Sequence, residues 1–409
     1  MRGIRRPGLQ PEVPLHRSPL LDEYRAIRGR STWELRSIRG HVVEFSGDQH
    51  GSRFIQEKLD HATSEERQIV FDEIVPNNTL QLIQDVFGNY VIQKLFEHGT
   101  QAQKTILLQS MSGHIVYLSS NLYGCRVVQK AIECVLPDQQ AGIVRELEPH
   151  IMRCVKDSNG NHVIQKVIEH VSPDRLGFVS TFTGHVFELA SHTFGCRVLQ
   201  RCLQHLPPAQ TRPLLDELLN SYTVDLMQDH FGNYVIQFIL ENGLPEDRAA
   251  VAGQLRGRML NMARHKFASN VCEKALIHAD SETRRLLIEE IMGPVKADGT
   301  SSITALMKDQ FGNYVLQRAL GVAEGEQKEA LINAIRPQLV SLRKQSTAHS
   351  KHLTSSTLSL LSRLNVFSNV HCQLSASLRS FPRPNLHKSK LISVCFISRC
   401  LTHVSCMLV

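Results

Sequence analysis

Eight near-copies of one seven-residue string recur along this chain: HGSRFIQ, FGNYVIQ, YGCRVVQ, NGNHVIQ, FGCRVLQ, FGNYVIQ, FASNVCE and FGNYVLQ. Their third residues are Ser52, Asn89, Cys125, Asn161, Cys196, Asn233, Ser269 and Asn313, spaced by 37, 36, 36, 35, 37, 36 and 44 residues. A period of about 36 residues held over eight copies predicts a solenoid, because each unit buries its apolar face against its neighbours. The one long gap contains Gly293-Pro294 and Ala297-Asp298-Gly299-Thr300-Ser301-Ser302, which reads as a loop inserted into a regular array.

The period inside a unit sets the secondary structure. In the second copy, at 100° per residue, Val91, Ile92, Leu95 and Phe96 share one arc of a helix. Asn89, Tyr90, Gln93 and Lys94 share the opposite arc. No alternation of the strand kind competes. Flanking stretches such as Thr79–Val86 and Gln101–Met111 also read as helical, so each unit should hold two or three helices. The fold class is all-α.

The polar arc has a constant design. The third and seventh residues of each string, here positions one and five, are one helical turn apart and can address one planar edge together. Position five is Gln56, Gln93, Gln129, Gln165, Gln200, Gln237, Glu273 and Gln317. Position two is Arg53, Tyr90, Arg126, His162, Arg197, Tyr234, Asn270 and Tyr314. These are planar groups of the kind that stack on unpaired bases while neighbouring polar groups read base edges. Position six is Lys94, Lys130, Lys166, Arg201, Lys274 or Arg318 in six units, where a phosphate contact is expected; Glu57 and Phe238 are the exceptions.

Other classes fit less well. The net charge of +7 arises from residues 346–409, which hold seven Lys/Arg and no acid; the remainder balances 39 cations against 39 anions. A basic surface on the body must therefore come from arrangement. Ten cysteines fall singly in apolar segments with no CxxC pair, which argues for a reducing compartment and against a zinc site. Cys125 and Cys196 stand at position one, so no metal and no other cofactor is expected. His162 lacks a carboxylate or nucleophile in register, and no phosphate-cradling loop or nucleophile elbow occurs, so no enzyme is expected. Leu391–Val409 is apolar but interrupted by Arg399 and His403, too short a clean run for a membrane span. A protein-binding scaffold of the armadillo or HEAT kind would need no amide or carboxylate and planar group in every unit.

On these strings the chain resembles the Pumilio (PUF) family, and the resemblance extends from about Ser18 to Lys344 through Ser18-Pro19-Leu20-Leu21-Asp22-Glu23, Trp33-Glu34-Leu35 and all eight copies. It implies a curved right-handed α-solenoid of eight repeats behind an N-terminal capping segment. It also implies one base of single-stranded RNA per repeat, a rule that belongs to the family. Carried over, Asn with Gln reads uracil at Asn89/Gln93, Asn161/Gln165, Asn233/Gln237 and Asn313/Gln317, two amides facing one acceptor and one N–H. Ser269/Glu273 reads guanine, whose N1–H and N2–H suit a carboxylate. Ser52/Gln56, Cys125/Gln129 and Cys196/Gln200 read adenine. With the last repeat on the 5′ end, the implied site is 5′-UGUAUAUA-3′ with a loosely read fifth base, within the class UGUANAUA. The family also implies a cytoplasmic monomer that acts on 3′ untranslated regions of messenger RNA and recruits deadenylase or repressor proteins. A nucleolar relative acting on ribosomal RNA would show degenerate readers and more lysine.

The domain reading is 1–19 as a disordered basic N-terminus, 20–345 as the repeat array, and 346–409 as a Ser-rich basic tail, also disordered. The tail has fourteen Ser and no string. It reads as translated intron or shifted frame in preference to a lineage-specific arm. Its departure from the family pattern leaves the apolar flank of the eighth repeat, Val315, Leu316, Ala319 and Leu320, without evident cover.

Overall fold

The computed structural model describes residues 17–26, 33–293 and 301–348. The chain divides into two compact units, residues 1–331 and 332–409. Among the described residues there is no β-strand. Of the second unit, residues 332–348 are helical, the end of Gly325–Ala348. The expectations for residues 1–16, for the loop at 294–300, for most of the Ser-rich tail and for Leu391–Val409 lie outside the described residues. No helix of the described residues is long and apolar enough to cross a membrane.

Each string forms a helix in the first unit. The eight are α1 (Gln49–Leu59), α2 (Gly88–His98), α3 (Gly124–Cys134), α4 (Gly160–His170), α5 (Gly195–His205), α6 (Gly232–Asn242), α7 (Ala268–His278) and α8 (Gly312–Val322). Consecutive members pack side by side from α1 to α8. A short helix precedes each, as Ile115–Ser120 precedes α3, and a longer one usually follows, as Gln101–Met111 follows α2. The expected helix over Thr79–Val86 stops at Ile83, because Asp85 turns the chain by accepting from the Phe87 and Gly88 N–H groups.

The fourth repeat departs from the pattern. After α4 the chain forms two 3₁₀ turns, Pro173–Arg175 and Gly177–Phe182, where other repeats have an α-helix. The buried Phe178 and Phe182, 5.9 Å apart, fill the space.

The apolar arc is the core. Val91, Ile92, Leu95 and Phe96 are all buried, each stabilising by about 1.5–3 kcal/mol relative to exposure. The residue before position one is glycine in seven repeats because the helix start lies against the short helix before it. A Cβ on Gly124 would sit 2.8 Å from the Leu118 carbonyl oxygen, and one on Gly51 2.5 Å from that of Phe45. At the N-terminal end, Pro19–Ala26 covers the first repeat. Tyr24 is buried between Trp33, Phe45 and Phe54 at 5.2–5.4 Å, and the Ser18 N–H donates to Glu44. At the other end the expectation of an uncovered flank is overturned: Val315, Leu316, Ala319 and Leu320 are buried. The reason is that α8 packs against both α7 and Ser302–Lys308.

Candidate nucleic-acid interface

All twenty-four expected readers lie on α1–α8, three to a helix, and burial sorts them by position. Position one is buried in every repeat: Ser52, Asn89, Cys125, Asn161, Cys196, Asn233, Ser269 and Asn313. Position two is exposed in every repeat, from Arg53 to Tyr314, with Tyr90 53%, Tyr234 48% and Tyr314 55% accessible. Position five is half-buried, except that Gln317 is buried. Asn89 therefore does not share an open face with Tyr90 as the helical wheel suggested. It lies at the foot of the helix, under the side chains that reach outward.

Hydrogen bonding explains this and gives the two amides different roles within the protein. Asn89 donates through Nδ2 to the carbonyls of Asp85 and Val86, at 2.8 and 3.1 Å. Because carbonyls only accept, this fixes which end of the amide is nitrogen. Oδ1 is left to accept from Gln93 Nε2 at 2.9 Å. The same triangle recurs at Asn161/Gln165, Asn233/Gln237 and Asn313/Gln317. The asparagine N–H groups are spent on the helix start, so the asparagine orients the glutamine. In repeats two, four and six the glutamine keeps Oε1 as an acceptor and its second N–H as a donor, the pair that N3–H and a carbonyl of uracil require.

In repeats three and five the glutamine turns differently. Gln129 and Gln200 donate to the backbone carbonyls of Cys125 and Cys196 at 2.9 and 3.0 Å. The two thiols approach the carbonyls three residues back. Burial pushes both thiols above their ordinary pKa, so they stay neutral, unlike a metal ligand or a nucleophile. Ser52 and Ser269 occupy the same place and make the same contact. Burial and the neighbouring Arg126 hold His162 below its ordinary pKa, which favours the neutral ring, a flat surface suited to stacking. Arg197 and Tyr234, position-two groups of adjacent repeats, meet with the guanidinium carbon over the ring, 5.9 Å from its centre.

The position-six cations, expected at phosphates, face carboxylates within the array. Lys94 bridges Asp60 and Glu97, Lys130 bridges Glu97 and Glu133, Lys166 bridges Glu133 and Glu169, and Arg201 meets Glu169. Lys274 pairs with Glu241, and Arg318 pairs with the reader Glu273 at 3.5 Å. The physical reason is spacing: the carboxylate three residues further along one helix meets the position-six cation of the next.

Sequence reasoning missed the residues that hold the readers. Asp85, Asp157, Asp229 and Asp309 each accept two N–H groups at the helix start while their own carbonyls hold the asparagine. The signal was present, an Asp four residues before every position-one Asn.

A sequence profile of the Pumilio-family RNA binding repeat matches residues 41–75, 78–112, 114–148, 150–177, 185–219, 222–255, 258–292 and 302–336. The mRNA-binding protein puf3 of Schizosaccharomyces pombe is 42% identical over 339 residues, 83% of this chain and 46% of that protein. A Pumilio domain-containing protein of the same yeast, C6G9.14, is 35% identical over 305 residues, 74% of this chain and 44% of its own length. The chain thus spans about half the length of these relatives. Among solved structures, the Puf3 RNA binding domain bound to a Cox17 RNA 3′ UTR recognition sequence (site B) superposes with a TM-score of 0.79 at 37% identity, covering 85% of this chain and 100% of that one. PUF-8 in complex with PBE-RNA gives 0.76 at 34%, covering 84% and 99%.

Proposed function

The chain belongs to the Pumilio family of RNA-binding repeat proteins, and on that premise we propose that it reads single-stranded RNA of the form 5′-UGUAUAUA-3′ in 3′ untranslated regions. The observation that carries this reading is the alternation of reader geometry along the array, interrupted once by a carboxylate. Asn-held glutamines in the even repeats suit uracil. Small position-one residues in the odd repeats leave room for a purine. Glu273 accepts and cannot donate when ionised, which suits the paired N–H groups of guanine. The fifth base, at Asn161 and His162, is read loosely. Each base stacks on the exposed position-two groups, at about 1–3 kcal/mol per base.

Binding of such an element leads to repression or decay of the message through recruited repressor or deadenylase proteins, by a cytoplasmic monomer. The relative described as mRNA-binding and the domains bound to 3′ UTR sequences support that reading.

A gel-shift titration tests it. UGUAUAUA should bind more tightly than UCUAUAUA by about 1–3 kcal/mol, because cytosine offers Glu273 no paired N–H groups. Equal affinity would sink the base-reading proposal. The converse is a swap of readers. Ser269→Asn with Glu273→Gln, and Asn270→Tyr for stacking, should prefer UUUAUAUA, provided circular dichroism shows an intact helical array.

A further inference from the structure

The array has a second period, twice the first. In the even repeats an Asp turn anchors an asparagine that holds a glutamine, at 2.9, 2.9, 2.8 and 3.1 Å in order along the chain. In the odd repeats the corresponding turn residues are Asp48, Asn121, His192 and His265, and position one is Ser or Cys. The scaffold alternates in step with the readers. Glu73, Glu146, Glu217 and Glu290 each clamp two N–H groups, 33 and 31 residues back in every case. These clamped amides belong to Gly40 and Val42, Gly113 and Ile115, Gly184 and Val186, and Gly257 and Met259, and all four glycines have positive φ. All four clamps lie in odd repeats. The second, fourth, sixth and eighth short helices begin instead after Asn78, His150, Tyr222 and Ser301. The structural unit is therefore a pair of repeats, and the array is four such pairs.

We propose that this pairing gives the bound RNA a two-nucleotide register, and that Ser269 and Glu273 alone pin it. The proposal rests on the one-base-per-repeat reading above. Moving the reading surface by two repeats lays Ser52/Asn89 on Cys125/Asn161, and these on Cys196/Asn233, so each kind of reader falls on its own kind. Moving it by one repeat lays every Asn-held glutamine on a Ser or Cys repeat, and all bases mismatch together. An alternating U and A strand thus sees the same surface at every second step. Only the seventh repeat breaks the period, since a carboxylate stands where the first, third and fifth repeats have glutamine. A guanine on that carboxylate selects one register from the set. The other seven readers supply affinity without choosing among two-nucleotide shifts.

The test uses two RNAs with cytidine flanks, one carrying (UA)6 and the other UG(UA)5, bound one-to-one by the full chain and probed by 2′-hydroxyl footprinting. The guanine-containing strand should show one eight-nucleotide window that starts at the U before G. The (UA)6 strand should show windows whose ends fall at every second nucleotide. A variant with Ser269→Cys and Glu273→Gln completes the period. It should bind (UA)6 about threefold more tightly than (UA)4, the number of two-nucleotide registers then available, and should lose the single window on UG(UA)5. Window ends at every nucleotide, or one fixed window on (UA)6, would overturn the two-nucleotide register while UGUAUAUA still outbinds UCUAUAUA. If those two octamers bind equally, the base-reading premise fails and the register falls with it.

Discussion

Repeats one to five and repeats six to eight are joined differently although their helices pack alike. In the first group a row of alternating charges runs without a gap from Asp60 to Arg201, ending on Gln204. Between the fifth and sixth repeats it stops, because Gln204 has no carboxylate to offer and Phe238 no cation. Phe238 lines an apolar cleft there with Leu203, Leu206, Leu215 and Leu244. The row returns as Lys274 with Glu241, and then turns aside. Ile277 stands where Glu97 and Glu133 stand in their repeats, so Arg318 meets the reader Glu273 instead. One position in the repeat therefore does two jobs. In repeats two to five and in the seventh its cation ties one repeat to the one before, and in the eighth it reaches the reader Glu273.

The largest effect is expected from packing. Gly124→Ala drives a Cβ to 2.8 Å from the Leu118 oxygen and should destabilise by about 1–3 kcal/mol in urea unfolding. The seventh repeat already carries a buried Ala268 at this place, and Ala268→Gly should cost no more than about 1 kcal/mol. Equal costs would mean that the seventh repeat approaches its short helix as closely as the third does.

Next in size is the diverted cation. Arg318→Ala should narrow the preference for G at the second base by about 1 kcal/mol and leave the other base preferences unchanged. Lys130→Ala, in the continuous row, should leave every base preference unchanged and lower stability instead. A uniform loss of affinity in Arg318→Ala would show that this side chain does not position Glu273.

Completing the row is worth less. Gln204→Glu and Phe238→Lys together should show a favourable coupling of about 0.5–1 kcal/mol in a double-mutant cycle, whatever the single changes cost. No coupling would mean that the fifth and sixth repeats are set apart by more than the missing charges.

Acid gives the smallest effect per group. Burial works to raise Glu97 and Glu133, but Lys130 with Lys94, and Lys166 with Lys130, hold both below the ordinary 4.5. A carboxylate lowered in the folded state adds stability above its unfolded pKa, and that stability is lost as pH falls through the folded value. Stability should thus decline below about pH 4.5, and the double change Glu97→Gln, Glu133→Gln should flatten the decline by roughly 0.5 kcal/mol per group. Urea midpoints at pH 5, 4 and 3 measure it, and parallel curves would remove the charge row from the account.

The eight copies of one string were enough to determine the helix, its buried arc and the solenoid, because periodicity in one dimension survives folding as a repeated local structure. The same one-dimensional wheel put Asn89 on an open face with Tyr90, and it gave no sign of the carboxylates that Lys94 and its equivalents meet. Both gaps have one source. A wheel knows the angle of a side chain about its own helix but nothing of the neighbours that meet it. The Asp85 turn folds a pair of carbonyls under the start of α2, and those carbonyls take both side-chain N–H groups of Asn89. The next repeat brings Lys130 within reach of Glu97, 33 residues earlier in the chain. Only the stacked structure decides such pairings, since the distance between two repeats is set by packed helices and not by sequence spacing.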